Sequence, residues 1–183
     1  MRNRLETDRL ILRLWEERDA TVLYHLAKDD RVGPAAGWPV HTSVENSREI
    51  IRSVLSKKGT YAVVLKETNL LVGCIGLTVG RDSNLDLEDS EAEIGYWLGV
   101  PYWGQGFIPE AVKGLMRYAF LELHMEKLWC GYFDGNEKSR RVTEKCGFIY
   151  HHTIENIHWD LMNDIRTENI TYMTKEQWKD MER

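Results

Sequence analysis

An α/β fold of the α+β kind, built on a sheet of mixed direction, follows from three features of the sequence. Two apolar runs, Tyr61 to Leu65 and Leu70 to Leu77, are separated by the turn-rich stretch Lys66-Glu67-Thr68-Asn69, the signature of a hairpin. A third strand, Glu93 to Leu98, leads through a glycine-rich loop into a helix and then a further strand, Leu128 to Phe133. A crossover of that order is right-handed and leaves its two strands parallel. Phe148 to Thr153 and Ile165 to Met173 form a closing pair of strands, so antiparallel and parallel neighbours share one sheet.

The remaining elements fall between these. Arg9 to Trp15 reads as a strand entering the core. Asp19 is an N-cap for a helix carrying Val22, Leu23 and Leu26. Gly33 to Pro39 is a loop, broken by two prolines and two glycines. Ser43 precedes a second helix with Ile50, Ile51, Val54 and Leu55 at helical spacing. Residues 81–91 form a polar loop. A helix from about Pro109 to Leu123 buries Ala111, Leu115 and Tyr118. Asn136 caps a short helix that Gly147 ends, and a helix around Gln177 closes the chain. No repeat or linker interrupts the order, so a single domain is expected over residues 1–183.

Composition narrows the function. Among 183 residues, 24 Lys and Arg face 29 Asp and Glu, a net charge of −5 that gives no support to nucleic-acid or membrane-surface binding. The three cysteines, Cys74, Cys130 and Cys146, are odd in number and lack metal-ligand spacing, which argues against a disulfide scaffold or a zinc site. The longest uncharged run, Ile94 to Pro109, is 16 residues with four glycines, shorter than the ~20 apolar residues of a spanning helix. Charged residues follow Met1 at once, so a cytoplasmic location is expected.

The chemistry concentrates at Tyr102-Trp103-Gly104-Gln105-Gly106-Phe107-Ile108-Pro109-Glu110-Ala111. A glycine loop that ends a strand and opens a helix offers free backbone N–H groups and the positive end of the helix dipole, a setting for a phosphate or diphosphate. Gly104 and Gly106 let the backbone approach such an anion closely; an ordinary tight turn has the same local pattern. The dinucleotide fingerprint needs a glycine where Pro109 stands, and no Gly-Lys-Ser/Thr is present for a P-loop. The anion therefore belongs to another cofactor.

Asn136-Glu137-Lys138-Ser139 and Lys145-Cys146-Gly147-Phe148 begin one strand after that helix. Together with Glu93-Ile94-Gly95-Tyr96-Trp97, Trp103-Gly104-Gln105-Gly106-Phe107, Glu110-Ala111 and the opening Thr7-Asp8-Arg9-Leu10-Ile11-Leu12-Arg13, they resemble the GNAT superfamily of acetyl-CoA-dependent N-acetyltransferases. The nearest branch is the ribosomal-protein-alanine N-acetyltransferase type. The resemblance covers nearly the whole chain. It implies a mostly antiparallel sheet with a splayed parallel strand pair and flanking helices. Acetyl-CoA is the implied cosubstrate, with no metal.

The resemblance also implies site residues. Trp97, Leu98 and Val100 would line the pantetheine arm, and Trp103, Gly104, Gln105, Gly106, Phe107 and Ile108 would form the diphosphate cradle. Asn136 would lie near the pantetheine, and Ser139 would protonate the leaving sulfur, with Tyr132 as a substitute donor. Glu93 matches a position where carboxylate bases occur. Ile108 departs from the usual small residue, and its side chain is expected to crowd the diphosphate. The acceptor would be a primary amine, on a protein N-terminus or a small molecule, and the chain a monomer or homodimer. The alternative is a catalytically silent acyl-CoA-binding sensor or interaction module.

Plainer roles stand beside these. Ser139 also suits the first turn of a helix, and Glu93 an exposed strand position. His151 and His152, adjacent on a strand, should point to opposite faces and, with His158, be solvated or partly packed. Arg140 and Arg141 suit a solvated helix face or the cofactor's ribose phosphate, and Asp82, Asp86, Glu88, Asp89 and Glu91 of the polar loop serve solubility or attract a cationic substrate. Trp38 lines an acceptor site or anchors its loop.

Overall fold

In one half of the chain, every second residue of a strand that starts at Leu10 is apolar, and the first elements build outward from it. The computed structural model describes residues Met1–Arg183. They gather into two compact units: Met1–Gly76 with Tyr96–Ala111, and Leu77–Gly95 with Val112–Arg183.

The first unit starts with β1 (Arg4–Glu6) antiparallel to β2 (Leu10–Arg13), then β3 (Thr60–Leu65) and the first part of β4 (Leu71–Val79). Leu10 and Leu12 are fully buried while Ile11 and Arg13 are half-buried, the alternation of a one-sided strand. Residues 61–64 are buried without alternation, so β3 is covered on both faces. The turn between β3 and β4 places Asn69 at φ 55°, a left-handed conformation that Asn tolerates. β1, three residues with only Leu5 apolar, carries no pattern by which sequence could find it.

Helices α1 (Ala20–Ala27), α2 (Gly33–Ala36) and α3 (Val44–Ile50) complete this unit. Two expectations change here. The segment 33–39 is not wholly loop: Pro34 opens, and Gly37 at φ 88° ends, one helical turn. Both breakers act as end signals of a short helix. Asp19 precedes α1 but makes no side-chain cap bond. Its carboxylate instead accepts from Arg13 Nη1 and Nη2 at 2.7 and 2.8 Å and from the Glu16 amide at 2.9 Å. Ser43 does cap α3, accepting from the Asn46 amide at 3.0 Å. The helix then widens to a π turn over Ile51–Leu55, which buries Ile51 and Leu55 and leaves Val54 exposed.

Asp19→Ala is expected to destabilise the chain by about 2 kcal/mol, because the half-buried Arg13 loses its charged, buried acceptor. Urea denaturation of both proteins measures it, and equal midpoints would show the pair to be energetically silent.

β5 (Glu91–Leu98) belongs to the second unit as far as Gly95, and there it pairs in parallel with β6 (Lys127–Phe133) from Glu91↔Lys127 to Glu93↔Trp129, where the paired register ends. β6 is antiparallel to β8 (Asp164–Thr174) along its whole length, and β8 to β7 (Ile149–Trp159). The full strand order is β1-β2-β3-β4-β5-β6-β8-β7. The parallel pair and the mostly antiparallel sheet are thus as expected.

Helix α4 (Phe107–Leu121) starts two residues before Pro109, which occupies the third position, where a missing N–H still forfeits no intrahelical bond. α5 (Glu137–Lys145) and α6 (Lys175–Met181) follow, with Phe120 of α4 against Trp178 of α6 at 5.3 Å between rings. β7 runs six residues past its expected end at Thr153 and carries two register shifts, Tyr150/His152 and Ile154/Ile157. At the first, His151 is the extra residue of a bulge, which re-aims its ring. His151 and His152 do not diverge: their Nδ1 atoms lie 2.7 Å apart, and His151 packs edge-on against Trp129.

Candidate active site

The glycine loop and its supports lie in the first unit. Gly104 and Gly106 sit at φ +76° and +78°, backbone conformations that side chains with a Cβ rarely adopt. A Cβ on Gly104 would meet nothing within 4 Å, so the loop presents bare backbone at that point. As the opening residues of α4, Phe107 and Ile108 have amides without intrahelical acceptors. Two glycines, first-turn amides without intrahelical acceptors and the dipole of a 15-residue helix together make a setting that suits an anion.

Trp103 ties this loop to the end of β5 by donating Nε1–H to the Leu98 carbonyl at 2.8 Å, and Gln105 Nε2 donates to the Pro101 carbonyl at 3.2 Å. Phe107 and Ile108 are 7% and 5% exposed, so both side chains turn inward. The expected crowding by Ile108 is therefore corrected: its side chain fills the core and leaves only its amide to the loop.

Two residues at the cradle escaped sequence reasoning as site residues. Glu110 accepts from Thr7 Oγ at 2.5 Å, from the Arg9 amide at 2.7 Å and from Arg9 Nε at 2.6 Å. Burial raises its pKa, but these donors outweigh burial and hold the carboxyl below its ordinary value. Arg9 in turn donates Nη1–H to the Gln105 carbonyl at 3.1 Å and lies 4.7 Å above the Phe107 ring. Pairing across about a hundred positions leaves no periodic trace in a sequence.

Upstream, Trp97 contacts Trp15 at 6.3 Å and Trp38 at 5.7 Å between ring centres, and Trp38 also meets His41 at 5.2 Å. Trp38 is thus an anchor of its own segment. Gly33 makes room for it, since a Cβ there would lie 2.6 Å from the indole.

The residues expected to handle protons, Glu93 and Ser139, lie in the second unit. Asn136 caps α5, its Oδ1 accepting from the Ser139 amide at 3.1 Å, which places Ser139 in the helix's first turn. Glu93 is not an exposed strand carboxylate. It is partly buried and accepts from Ser83 Oγ at 2.7 Å, a partner hidden in what sequence shows only as a polar loop. Burial pushes the Glu93 pKa up, with the Ser83 bond opposing. Glu168 on β8 was also missed. Burial, and then the charge of Glu93, push it up to about 7. A side chain at Gly131 would collide with Glu168, so that glycine makes its space. Glu91, by contrast, is held by Lys127 Nζ at 2.9 Å and Trp129 Nε1 at 3.2 Å, a structural role.

Burial holds the Cys74 thiol at about 12 and Cys146 at about 11, so neither is a thiolate near neutrality. Tyr132 keeps its phenolic proton, since burial raises its pKa as well. Arg140 is engaged by Glu137 and Glu144 on its own helix.

A glycine loop on a strand-to-helix turn, and a parallel strand pair in a mostly antiparallel sheet, are the features expected of an acyl-CoA-type transferase. The model of the acetyltransferase (GNAT) domain matches residues 9–149. "Uncharacterized N-acetyltransferase p20" of Bacillus licheniformis is 35% identical over 129 residues, 68% of this chain and 70% of that protein. A GNAT-family acetyltransferase structure from Bacillus anthracis superposes with a TM-score of 0.83 at 22% identity, covering 94% of this chain and 99% of that one. A ribosomal-protein-S5-alanine acetyltransferase from Vibrio fischeri shares the fold, with a TM-score of 0.68 at 19% identity over 96% and 98% of the two chains. The chain belongs to the GNAT acetyltransferase family and is an acetyl-CoA-dependent acyltransferase. No helix is long and apolar enough to cross a membrane.

Proposed function

We propose that the chain transfers acetyl from acetyl-CoA to a primary amine, on a protein N-terminus or a small molecule, by direct attack in a ternary complex. The observation that carries this reading is the left-handed pair Gly104 and Gly106 at the mouth of a long helix, a bare cradle suited to a diphosphate. The amides of residues 104–108 bind the diphosphate, and Trp97, Leu98, Val100 and Asn136 line the pantetheine. Bound there, the thioester supplies an activated acetyl group.

Glu93 accepts one proton from the ammonium, which frees the nitrogen lone pair to bond the acetyl carbon. As the carbon–sulfur bond breaks, the Ser139 hydroxyl gives its proton to the sulfur and regains one, through water, from the nitrogen. No cysteine nucleophile is needed, in keeping with thiols that stay protonated. No metal enters this route. The three cysteines form no disulfide and fit a reducing cytoplasm, where we place a single 1–183 domain acting as a monomer or homodimer.

Release of free thiol from acetyl-CoA across a panel of peptide N-termini, polyamines and amino sugars tests the proposal. Amine-dependent release is expected; CoA binding without release from any amine would turn the reading to a silent acyl-CoA sensor.

Ser139→Ala should lower turnover about a hundredfold, as loss of a general acid does, with the Michaelis constant for the amine nearly constant. Its backbone bond to Asn136 survives the change, so stability should move by less than the ~1 kcal/mol of a lost cap. Normal turnover per folded molecule would transfer the role to Tyr132 or water.

A further inference from the structure

We propose that Arg9 is a positioning residue for the cradle, setting which way the Gln105–Gly106 peptide faces. This rests on the diphosphate reading above. The carbonyl and N–H of a trans peptide point in opposite directions, and the chain has no cis bond. Arg9 Nη1 holds the Gln105 carbonyl at 3.1 Å, so the Gly106 N–H is turned away from Arg9. Glycine alone would leave this peptide free to flip, because residues without a Cβ populate both signs of φ. One hydrogen bond from a fixed donor selects the face.

The donor is fixed by three further contacts. Glu110 receives both the Arg9 amide and Nε, at 2.7 and 2.6 Å, and its remaining bond is to Thr7. The guanidinium rests 4.7 Å above the Phe107 ring, and its Nη2 lies 3.5 Å from where a Gly106 Cβ would be. Residues 105 and 107, on either side of Gly106, are thus held by one side chain from the β1–β2 connection. Arg9 remains half-exposed, which a residue serving only to fill the core would not be. Lysine cannot replace it, since an ammonium lacks the planar fork that pairs with Glu110 and the carbonyl at once.

The test is titration of CoA into wild type, Arg9→Ala and Arg9→Lys well below their melting temperatures, by calorimetry and by amide NMR. Wild type is expected to bind with a downfield shift of the Gly106 amide proton. In Arg9→Ala the Kd should rise about tenfold and that shift should shrink, while Arg9→Lys, which keeps the charge, should be impaired nearly as much. A Kd within twofold of wild type in either folded variant, or an undiminished Gly106 shift, overturns the role. Should Arg9→Ala fail to fold, Arg9→Lys decides by the same criteria. Absence of CoA binding by wild type would instead remove the diphosphate reading itself.

Discussion

Gly106→Val is expected to abolish the thermal stabilisation that CoA should give the wild-type chain. A ligand at one hundred times its Kd stabilises a folded protein by about 2.7 kcal/mol, several degrees for a chain of this size. Valine at φ +78° is strained, because its Cβ and branched methyls clash with the backbone in the left-handed region. The backbone must move to relieve that strain, and the amides of Gly106 and Phe107 move with it. The Arg9 guanidinium beside this position, 3.5 Å from even a bare Cβ, must also give way. Gly104→Ala is the milder companion: similar backbone strain, at φ +76°, but open space around the added methyl. It should lose part of the shift only. Differential scanning fluorimetry with millimolar CoA reads both, with circular dichroism to show that each variant is folded. A Gly106→Val protein that kept its full shift would take the loop out of cofactor binding.

Glu93→Gln is expected to lower kcat/KM by two to three orders of magnitude at pH 7.5, the scale of a lost general base. The wild-type profile should rise with pH, since only the ionised carboxyl can take the ammonium proton and burial holds Glu93 protonated beyond its ordinary range. Glu93 and Glu168 interact, so the midpoint belongs to the pair. Removing one charge with Glu168→Gln should displace the rising limb to lower pH. Stability gives a second readout of opposite tendency. The contribution of Glu168, whose pKa is raised on folding, is fully present below the ordinary carboxylate pKa and is lost as pH climbs through about 7. The Gln variant should therefore gain more in melting temperature at pH 8 than at pH 5. A pH profile unchanged in both variants would exclude the pair from proton transfer.

Much of this architecture is legible from local chemistry. The β3–β4 hairpin, the crossover from β5 through α4 to β6, and the Asn136 and Ser43 caps each depend on residues within a few positions of one another. Position along the chain decides what is missed. β1 has too little apolar content to signal a strand, and the turn at Pro34 and Gly37 uses breakers at both ends of a helix too short for periodicity. At the site, Gly104 and Gly106 declare themselves because only glycine suits their backbone. Arg9 with Glu110, Ser83 with Glu93, and Glu168 with Gly131 are partnerships across the fold, and composition gives none of them away.

The contact of Trp97 with Trp15 and Trp38 has an optical consequence. Indoles 6.3 and 5.7 Å apart exchange excitation energy far faster than they emit, so the three absorb as a coupled group. Such coupling imprints a sign-paired band on the circular dichroism spectrum. Of the seven tryptophans, Trp97 is the one on the strand that leads into the glycine loop. A small tilt of its ring would alter that band, giving the protein a built-in, label-free gauge of events along β5.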